Sequence, residues 1–138
     1  MKIRNAKIED QIEISRLYRK LYSNEEGIEL DTIPISNTLF KNILLVAEDQ
    51  DKIMGFIWAN FIAFGIRRYG YIEDLYVEMD YRKQGIAKSL ITAVKEEFKN
   101  LNTDAVFVTT EIENQIAQNF YLKEGFNKCL GPWFQWLP

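Results

Sequence analysis

The 138-residue sequence contains no histidine and a single cysteine, Cys129. The lack of histidine excludes a Ser-His-Asp triad, a Cys-His pair and metal sites built on imidazole. One cysteine also excludes a disulfide within the chain. Any proton transfer must therefore use Asp, Glu, Tyr, Lys, Cys129, a terminus or water.

Apolar and aromatic residues, by contrast, are plentiful. Hydrophobic residues make up 47% of the sequence and charged residues 27%, which is the profile of a globular chain rather than a disordered one. The length suits one core, and no repeat or Pro/Gly/Ser-rich linker interrupts the sequence. We therefore expect a single domain over residues 1–138.

Charge and hydropathy limit the partners. A net charge of −3 and a pI near 5.1 do not suit a protein that binds nucleic acid through phosphates. The N-terminus has charges throughout, and the longest apolar run, residues 54–66, is interrupted by Asn60 and is too short to span a bilayer. We expect a cytoplasmic protein with no nucleic-acid or membrane partner.

The spacing of apolar residues predicts an α/β fold with a mixed sheet flanked by helices. A helix is predicted over residues 7–22, a short helical piece after Pro34 with Ser36 as its cap, and a helix over residues 85–99. Asn114 and Gly125 are expected to begin and end a last helix whose apolar positions include Ile116, Ala117, Phe120 and Tyr121. Strands are predicted at residues 1–6, 43–48, 52–64, 69–78, 105–110, 126–129 and 133–137.

Residues 81–88 (YRKQGIAK) connect a predicted strand to a predicted helix. The first N–H groups of a helix lack backbone partners and attract anions, and Gly85 and Ala87 allow a phosphate to approach closely. The spacing differs from that of dinucleotide-binding and P-loop motifs. From spacing alone, an ordinary solvated loop explains this stretch equally well.

The pattern R-x-x-G-x-A at residues 82–87 resembles the acetyl-CoA loop of the GCN5-related N-acetyltransferases (GNAT). Residues 114–126 (NQIAQNFYLKEGF) are similar to the N-x-x-A-x-x-F-Y-x-x-x-G-F pattern that ends the core of the same family. Ala87 departs from the second glycine found in many members. The resemblance implies one N-acetyltransferase domain with a mostly antiparallel sheet, acetyl-CoA as co-substrate and no metal.

The resemblance also implies which residues bind acetyl-CoA. Loop amides near residues 84–87 would hold the pyrophosphate, and the backbone of residues 75–77 would pair with the pantetheine arm. Asn114 could bond that arm, although a helix cap explains it equally well. The expected cofactor-binding residues are Leu75, Tyr76, Val77, Arg82, Lys83, Gln84, Gly85, Ile86, Ala87, Lys88 and Asn114.

Two residues are candidates for catalysis. Residues 71–77 (YIEDLYV) are similar to the matching strand of the spermidine/spermine acetyltransferase branch, which implies Glu73 as the base, directly or through water. We expect Glu73 and Asp74 to point to opposite faces, because side chains alternate along a strand. The alternative is that both acids pair with arginines nearby, Arg67 or Arg68.

The resemblance places Tyr121 as the general acid for the leaving thiolate, although a tyrosine in an aromatic-rich helix is more often simply packed. The family transfers the acetyl group directly, so Cys129 has no expected role.

Three functions remain open. The first is acetylation of a small cationic amine, such as a polyamine or an aminoglycoside. The second is acetylation of a protein N-terminus or lysine, and the third is a non-catalytic acyl-CoA-binding module. The acidic residues 25–31 could steer a cationic amine, although such a run is more often a solvated loop. Four aromatic residues could line an acceptor pocket: Trp58, Trp133, Phe134 and Trp136. A sheet core or a homodimer contact is the more common use of such residues.

Overall fold

The computed structural model describes residues 1–21, 41–64 and 67–129, except for the side chains of Tyr18, Phe64 and Arg67. Its strands are β1 (Lys2–Asn5), β2 (Lys41–Asp49), β3 (Lys52–Phe64), β4 (Arg67–Val77) and β5 (Ala105–Val108). Its helices are α1 (Gln11–Leu21), α2 (Ile86–Asn100) and α3 (Gln115–Lys123). Short 3₁₀ turns precede α1 at Ile8–Asp10 and follow β4 at Met79–Tyr81.

The five strands form one sheet in the order β1-β2-β3-β4-β5. The first four pair antiparallel, and β5 pairs parallel to β4 after the chain crosses over through α2. The two-residue turn between β2 and β3 has positive φ angles at Gln50 and Asp51, as a right-twisted hairpin favours. This arrangement confirms the predicted mixed, mostly antiparallel α/β fold.

Helices cover both faces of the sheet. On one face α2 buries the apolar stripe that its sequence spacing predicts: Ile86, Leu90, Ile91, Val94 and Phe98. On the other face α1 buries Ile14 and Leu17 against β2 and β3. The two clusters define an α2 face and an α1 face of the sheet. Strand β3 contributes to both, which explains why its sequence is apolar at consecutive positions.

Two details of the predicted elements are wrong. Residues 126–129 do not form a strand, because the Phe126 N–H is donated to the Tyr121 carbonyl and completes the end of α3. Ile116 is 85% exposed, since α3 packs against the core through Phe120 and Tyr121, and Ile116 lies in the first turn of the helix. Several predicted features lie outside the described residues: Tyr22, the acidic residues 25–31, the helical piece after Pro34, the strand at 133–137, Trp133, Phe134 and Trp136.

An ion-pair cluster joins α1 to the end of β4. The Glu78 carboxylate, directly after β4, accepts hydrogen bonds from Lys20 and from Arg16, the latter at 3.3 Å. Arg16 also bonds Glu13 one turn earlier in α1. The bonds from Lys20 and then Arg16 lower the pKa of Glu78 from 4.5 to about 2. The cluster therefore fixes the strand end from which residues 81–88 start.

A Glu78→Gln variant is expected to be less stable than the wild type at pH 7. Because the folded-state pKa lies below the unfolded one, the stabilisation is fully present above about pH 4.5 and is lost as the pH falls towards 2. Thermal unfolding at several pH values should therefore show the gap between the two proteins narrowing between pH 5 and 3. Glu96→Gln, which removes an exposed pair with Lys99, is the control. A gap that is constant with pH would contradict this role of Glu78.

Candidate active site

Strands β4 and β5 separate partway along the sheet. Their pairing runs from Tyr69 opposite Ala105 to Ile72 opposite Val108. Strand β4 continues to Val77 and pairs there with β3, but none of the strands in the described residues pairs with its other edge. The backbone of residues 73–77 therefore lines an open edge that an extended amide-containing molecule could pair with. This geometry fits the predicted site for the pantetheine arm.

The side chains along this edge divide between the two faces of the sheet. Leu75 and Val77 pack with the α2-face core, and Tyr76 packs on the α1 face. The side chains of Leu75 and Val77 are thus occupied by the fold. Their backbone groups are what remains for a ligand, as the resemblance implies, although the Val77 carbonyl accepts a hydrogen bond from Nε of Arg82.

A β-bulge lies where the two strands separate. Ala59 of β3 pairs with Ile72 and Trp58 pairs with Asp74, so Glu73 is the extra residue. Ile72 packs with the α2-face core, whereas Asp74 lies opposite Trp58, which packs on the α1 face. The prediction that Glu73 and Asp74 point to opposite faces is therefore wrong. The extra residue breaks the alternation and places both acids on the α1 face.

The two acids differ in environment. The Glu73 side chain is exposed and accepts a hydrogen bond of 2.9 Å from Nδ2 of Asn60 on β3. Asp74 is 7% exposed. Asn60 and Asp74 are residues of this site that the sequence did not assign, and the only signal for Asn60 was that it interrupts an apolar strand. The exposed acid, Glu73, is the one accessible to a substrate.

Tyr121 lies half-buried in α3, between the rings of Phe120 and Phe126, whose centroids are 5.4 and 5.6 Å from its own. Burial, and secondly the negative charge of Asp74, raise the pKa of Tyr121 to about 12. The hydroxyl therefore stays protonated at neutral pH and can donate a hydrogen bond. The effect of the Asp74 charge on this pKa indicates that Tyr121 lies near the bulge of β4.

A cavity of about 440 Å³ lies between β5 and α3. Of the predicted site residues, Tyr121 alone lines it, together with side chains such as Val108, Thr109 and Gln118. Cys129 is exposed and borders the same cavity. Tyr121 thus has one side towards a space large enough for a small group and the other towards the aromatic packing of α3.

The loop before α2 is held to the end of β4 by Arg82. Its Nε donates to the Val77 carbonyl at 2.9 Å, and its guanidinium carbon lies 5.8 Å from the ring centroid of Tyr76. Gln84 donates to the Asp80 carbonyl at 3.3 Å. Arg82 and Gln84 therefore shape the loop as well as offering polar groups to a ligand.

The start of α2 fits a diphosphate. Gly85 begins the helix with φ +80°, and a Cβ placed on it would have no protein heavy atom within 4 Å. The first N–H groups of α2, from Ile86, Ala87 and Lys88, lack helical partners. Lys83 and Lys88 are exposed, whereas the Ile86 side chain is buried, so Ile86 can contribute only its backbone.

A Gly85→Val variant is expected to bind acetyl-CoA at least tenfold more weakly than the wild type. Valine is strained at positive φ, and its side chain would occupy the open space beside the first N–H groups of α2. Isothermal titration calorimetry measures the affinity. Gly85→Asn is the matched control, because asparagine tolerates positive φ; it should keep the thermal stability of the wild type and still bind more weakly. Unchanged affinity in Gly85→Val would remove the loop from the cofactor site.

Asn114 acts as a helix cap. Its Oδ1 accepts the Ala117 N–H at 3.0 Å, as the sequence predicts.

Within residues 1–21, 41–64 and 67–129, no group of three or more Cys, Asp or Glu side chains is placed to hold a metal ion. Among the helices described, none is both long and apolar enough to cross a membrane.

Comparison with known proteins gives relatives along most of the chain. The chain is 35% identical over 82 residues to N-alpha-acetyltransferase 30 of Schizosaccharomyces pombe, a match that covers 59% of this chain and 55%, about half, of that protein. It is 25% identical over 138 residues to the uncharacterized N-acetyltransferase YhfO of Bacillus subtilis, covering 95% of this chain and 93% of that one.

Solved structures share the fold. An aminoglycoside N-acetyltransferase in complex with CoA superposes with a TM-score of 0.78 at 21% identity and covers 99% of both chains. The model of the acetyltransferase (GNAT) family matches residues 12–126. This range includes the β4 edge, the loop before α2 and all of α3. The chain therefore belongs to the GNAT family of N-acetyltransferase enzymes, which use acetyl-CoA.

Proposed function

We propose that this protein transfers an acetyl group directly from acetyl-CoA to a primary amine of a small cationic molecule, of the polyamine or aminoglycoside kind. The observation that carries the proposal is the bulge of β4. It presents the exposed carboxylate of Glu73 on the α1 face, at the point where β4 leaves β5 and opens a backbone edge.

The acidity of the substrate explains why a carboxylate is useful there. An alkyl ammonium group has a pKa near 10.4, so its deprotonation to the neutral amine at pH 7 requires roughly 4 to 5 kcal/mol of free energy. Glu73 is the group that accepts this proton from the bound substrate, directly or through a water molecule. A negative side chain also favours a cationic substrate over a neutral one.

The transfer itself needs no covalent enzyme intermediate. The amine nitrogen forms a bond to the acetyl carbonyl carbon as its proton passes to Glu73, and the carbon–sulfur bond then breaks. Negative charge develops on the departing sulfur. Tyr121, protonated because its pKa is about 12, serves as the acid that stabilises this thiolate.

The cofactor is held by groups along β4 and α2. The backbone edge of residues 75–77 pairs with the pantetheine arm, and the amides at residues 84–87 bind the diphosphate. Two exposed lysines, Lys83 and Lys88, add positive charge near the same amides. When bound, acetyl-CoA supplies the activated acetyl thioester.

A second candidate is acetylation of protein N-termini. The matches to N-alpha-acetyltransferase 30 of fission yeast, at 35% identity, and of Saccharomyces cerevisiae, at 39% over 61 residues, favour it. A peptide α-amine with a pKa of 7.7 to 8.0 costs only about 1 kcal/mol to neutralise at pH 7, so a base matters less. The exposed Glu73 and the aminoglycoside acetyltransferase fold neighbour support the small amine instead.

A panel of acceptors decides between these candidates. Thiol release from acetyl-CoA is measured with spermidine, with an aminoglycoside, with a peptide that has a free N-terminus, and with an N-blocked peptide that contains lysine. We expect higher kcat/KM for spermidine or the aminoglycoside than for either peptide. Turnover of peptides alone would overturn the small-amine proposal. Binding of acetyl-CoA without turnover of any acceptor would indicate a non-catalytic acyl-CoA-binding module.

A further inference from the structure

The C-terminal end of α3 is closed by a Schellman motif. Gly125 adopts φ +84°, its N–H bonds the Leu122 carbonyl at 3.1 Å, and the Phe126 N–H bonds the Tyr121 carbonyl at 3.0 Å. This is the pair of bonds that defines the motif, and a contact between the two residues at its ends often accompanies it. Here that contact is between the rings of Tyr121 and Phe126.

Phe126 therefore holds Tyr121 in two ways. It binds the backbone carbonyl of Tyr121, and its ring meets the Tyr121 ring edge-to-face, with an angle of 73° between the planes. The glycine and phenylalanine that end the sequence pattern at residues 114–126 thus set the position of the tyrosine within it. Any group that fixes Phe126 also fixes the Tyr121 hydroxyl.

Lys95 is such a group. It projects from α2, and its Nζ donates to the carbonyl of Glu124, the C-cap of α3. The same Nζ lies 4.8 Å from the ring centroid of Phe126. A cation at a helix C-terminus satisfies a free carbonyl and opposes the helix dipole, and over an aromatic face it gains a cation–π contact.

We infer that Lys95 is a positioning residue for Tyr121, acting through the Schellman motif and Phe126 and linking the acid on α3 to the helix that binds the cofactor. The inference rests on the proposed function of Tyr121. Lys95 joins two elements that the reaction must keep in register: α2, whose first turn binds the diphosphate, and α3, which carries the acid. A small displacement of the Tyr121 hydroxyl is costly, because catalysis depends on reacting groups being held in place.

One test does not depend on activity. The protein is labelled with 3-fluorotyrosine, and the ¹⁹F resonance that disappears in Tyr121→Phe is assigned to Tyr121. We expect this resonance to shift or broaden in Lys95→Met, to return towards its wild-type position in Lys95→Arg, and to stay unchanged in Lys99→Met. Lys99 is the matched control because it lies on the same helix and, within the part of the chain that the structure describes, its ion pair is with Glu96 one turn earlier. An unchanged Tyr121 resonance in Lys95→Met would overturn the inference.

A second test is kinetic. Lys95→Met is expected to lower kcat about tenfold, with the affinity for acetyl-CoA within twofold of the wild type and with recovery in Lys95→Arg. In the Tyr121→Phe background the same substitution should cause no further loss, because coupled residues are not additive. A full tenfold loss in that background would show that Lys95 acts on general stability and would contradict positioning.

The two tests separate failure of this inference from failure of the proposed function. If the ¹⁹F resonance of Tyr121 moves in Lys95→Met but kcat does not change, Lys95 positions the ring and Tyr121 is not the acid. If Tyr121→Phe lowers kcat and Lys95→Met alters neither kcat nor the resonance, the acid is correct and the positioning role is wrong.

Discussion

Replacing Glu73 with glutamine is expected to lower kcat/KM for a polyamine about 100-fold at pH 7, since general-base catalysis contributes roughly 10²- to 10⁴-fold. The affinity for acetyl-CoA should stay unchanged, because Glu73 lies on the α1 face at the bulge and not in the loop before α2 that we propose as the diphosphate site. Thiol release gives the rate, and calorimetry gives the affinity. Glu96→Gln, a substitution of an exposed glutamate on α2, is the control.

The pH dependence of this loss identifies its cause. As the pH approaches about 10, more of the alkyl amine is already neutral and a base is needed less. The gap between wild type and Glu73→Gln should therefore shrink as the pH rises from 7 to 10. A gap of constant size would mean that Glu73 binds or orients the substrate and does not remove its proton.

Tyr121→Phe is expected to lower kcat about 100-fold, with little change in KM for the amine. Removal of one preorganised donor to developing negative charge costs roughly 10²- to 10³-fold. Phenylalanine keeps the ring packing against Phe120 and Phe126, so the fold should be retained, as circular dichroism and thermal unfolding can check. Wild-type kcat in Tyr121→Phe would leave Tyr121 as a packing residue.

The pKa of Tyr121 indicates how it acts on the thiolate. With a pKa of about 12, complete proton transfer to a thiolate whose conjugate acid has a pKa near 8.5 is uphill by roughly 5 kcal/mol. A hydrogen bond that strengthens as charge develops on sulfur is therefore its main contribution. The wild type should show no loss of activity from ionisation of Tyr121 below about pH 11, and an alkaline loss near pH 9 that Tyr121→Phe abolishes would contradict this.

Local patterns in the sequence predicted the elements whose stability depends on their own periodicity. The apolar stripe of α2, the cap at Asn114 and the stop at Gly125 follow from short-range rules, and each is confirmed. The loop before α2 could be predicted because its glycine and basic residues are adjacent in the chain. The chemical reading of that loop still needed the family resemblance.

Features that depend on pairing between distant residues could not be predicted in this way. The bulge at Glu73 exists only in the register between β3 and β4, so strict alternation wrongly predicted opposite faces for Glu73 and Asp74. A strand is predicted at residues 126–129, but the Phe126 N–H is bonded to the end of α3. The contacts of Asn60 with Glu73 and of Lys95 with the Glu124 carbonyl of α3 join groups that are not neighbours in the sequence and leave no local signal.

Direct transfer to a small amine is the central claim, and one measurement tests it most directly. The protein is mixed with acetyl-CoA, with and without spermidine, and quenched samples are analysed by mass spectrometry for CoA, acetylated amine and intact protein. We predict CoA release only with spermidine, one acetylated amine for each CoA released, and no protein carrying an acetyl group. An acetylated protein that forms without amine and is consumed when amine is added would contradict direct transfer. Absence of spermidine-dependent CoA release would contradict the choice of this amine as a substrate.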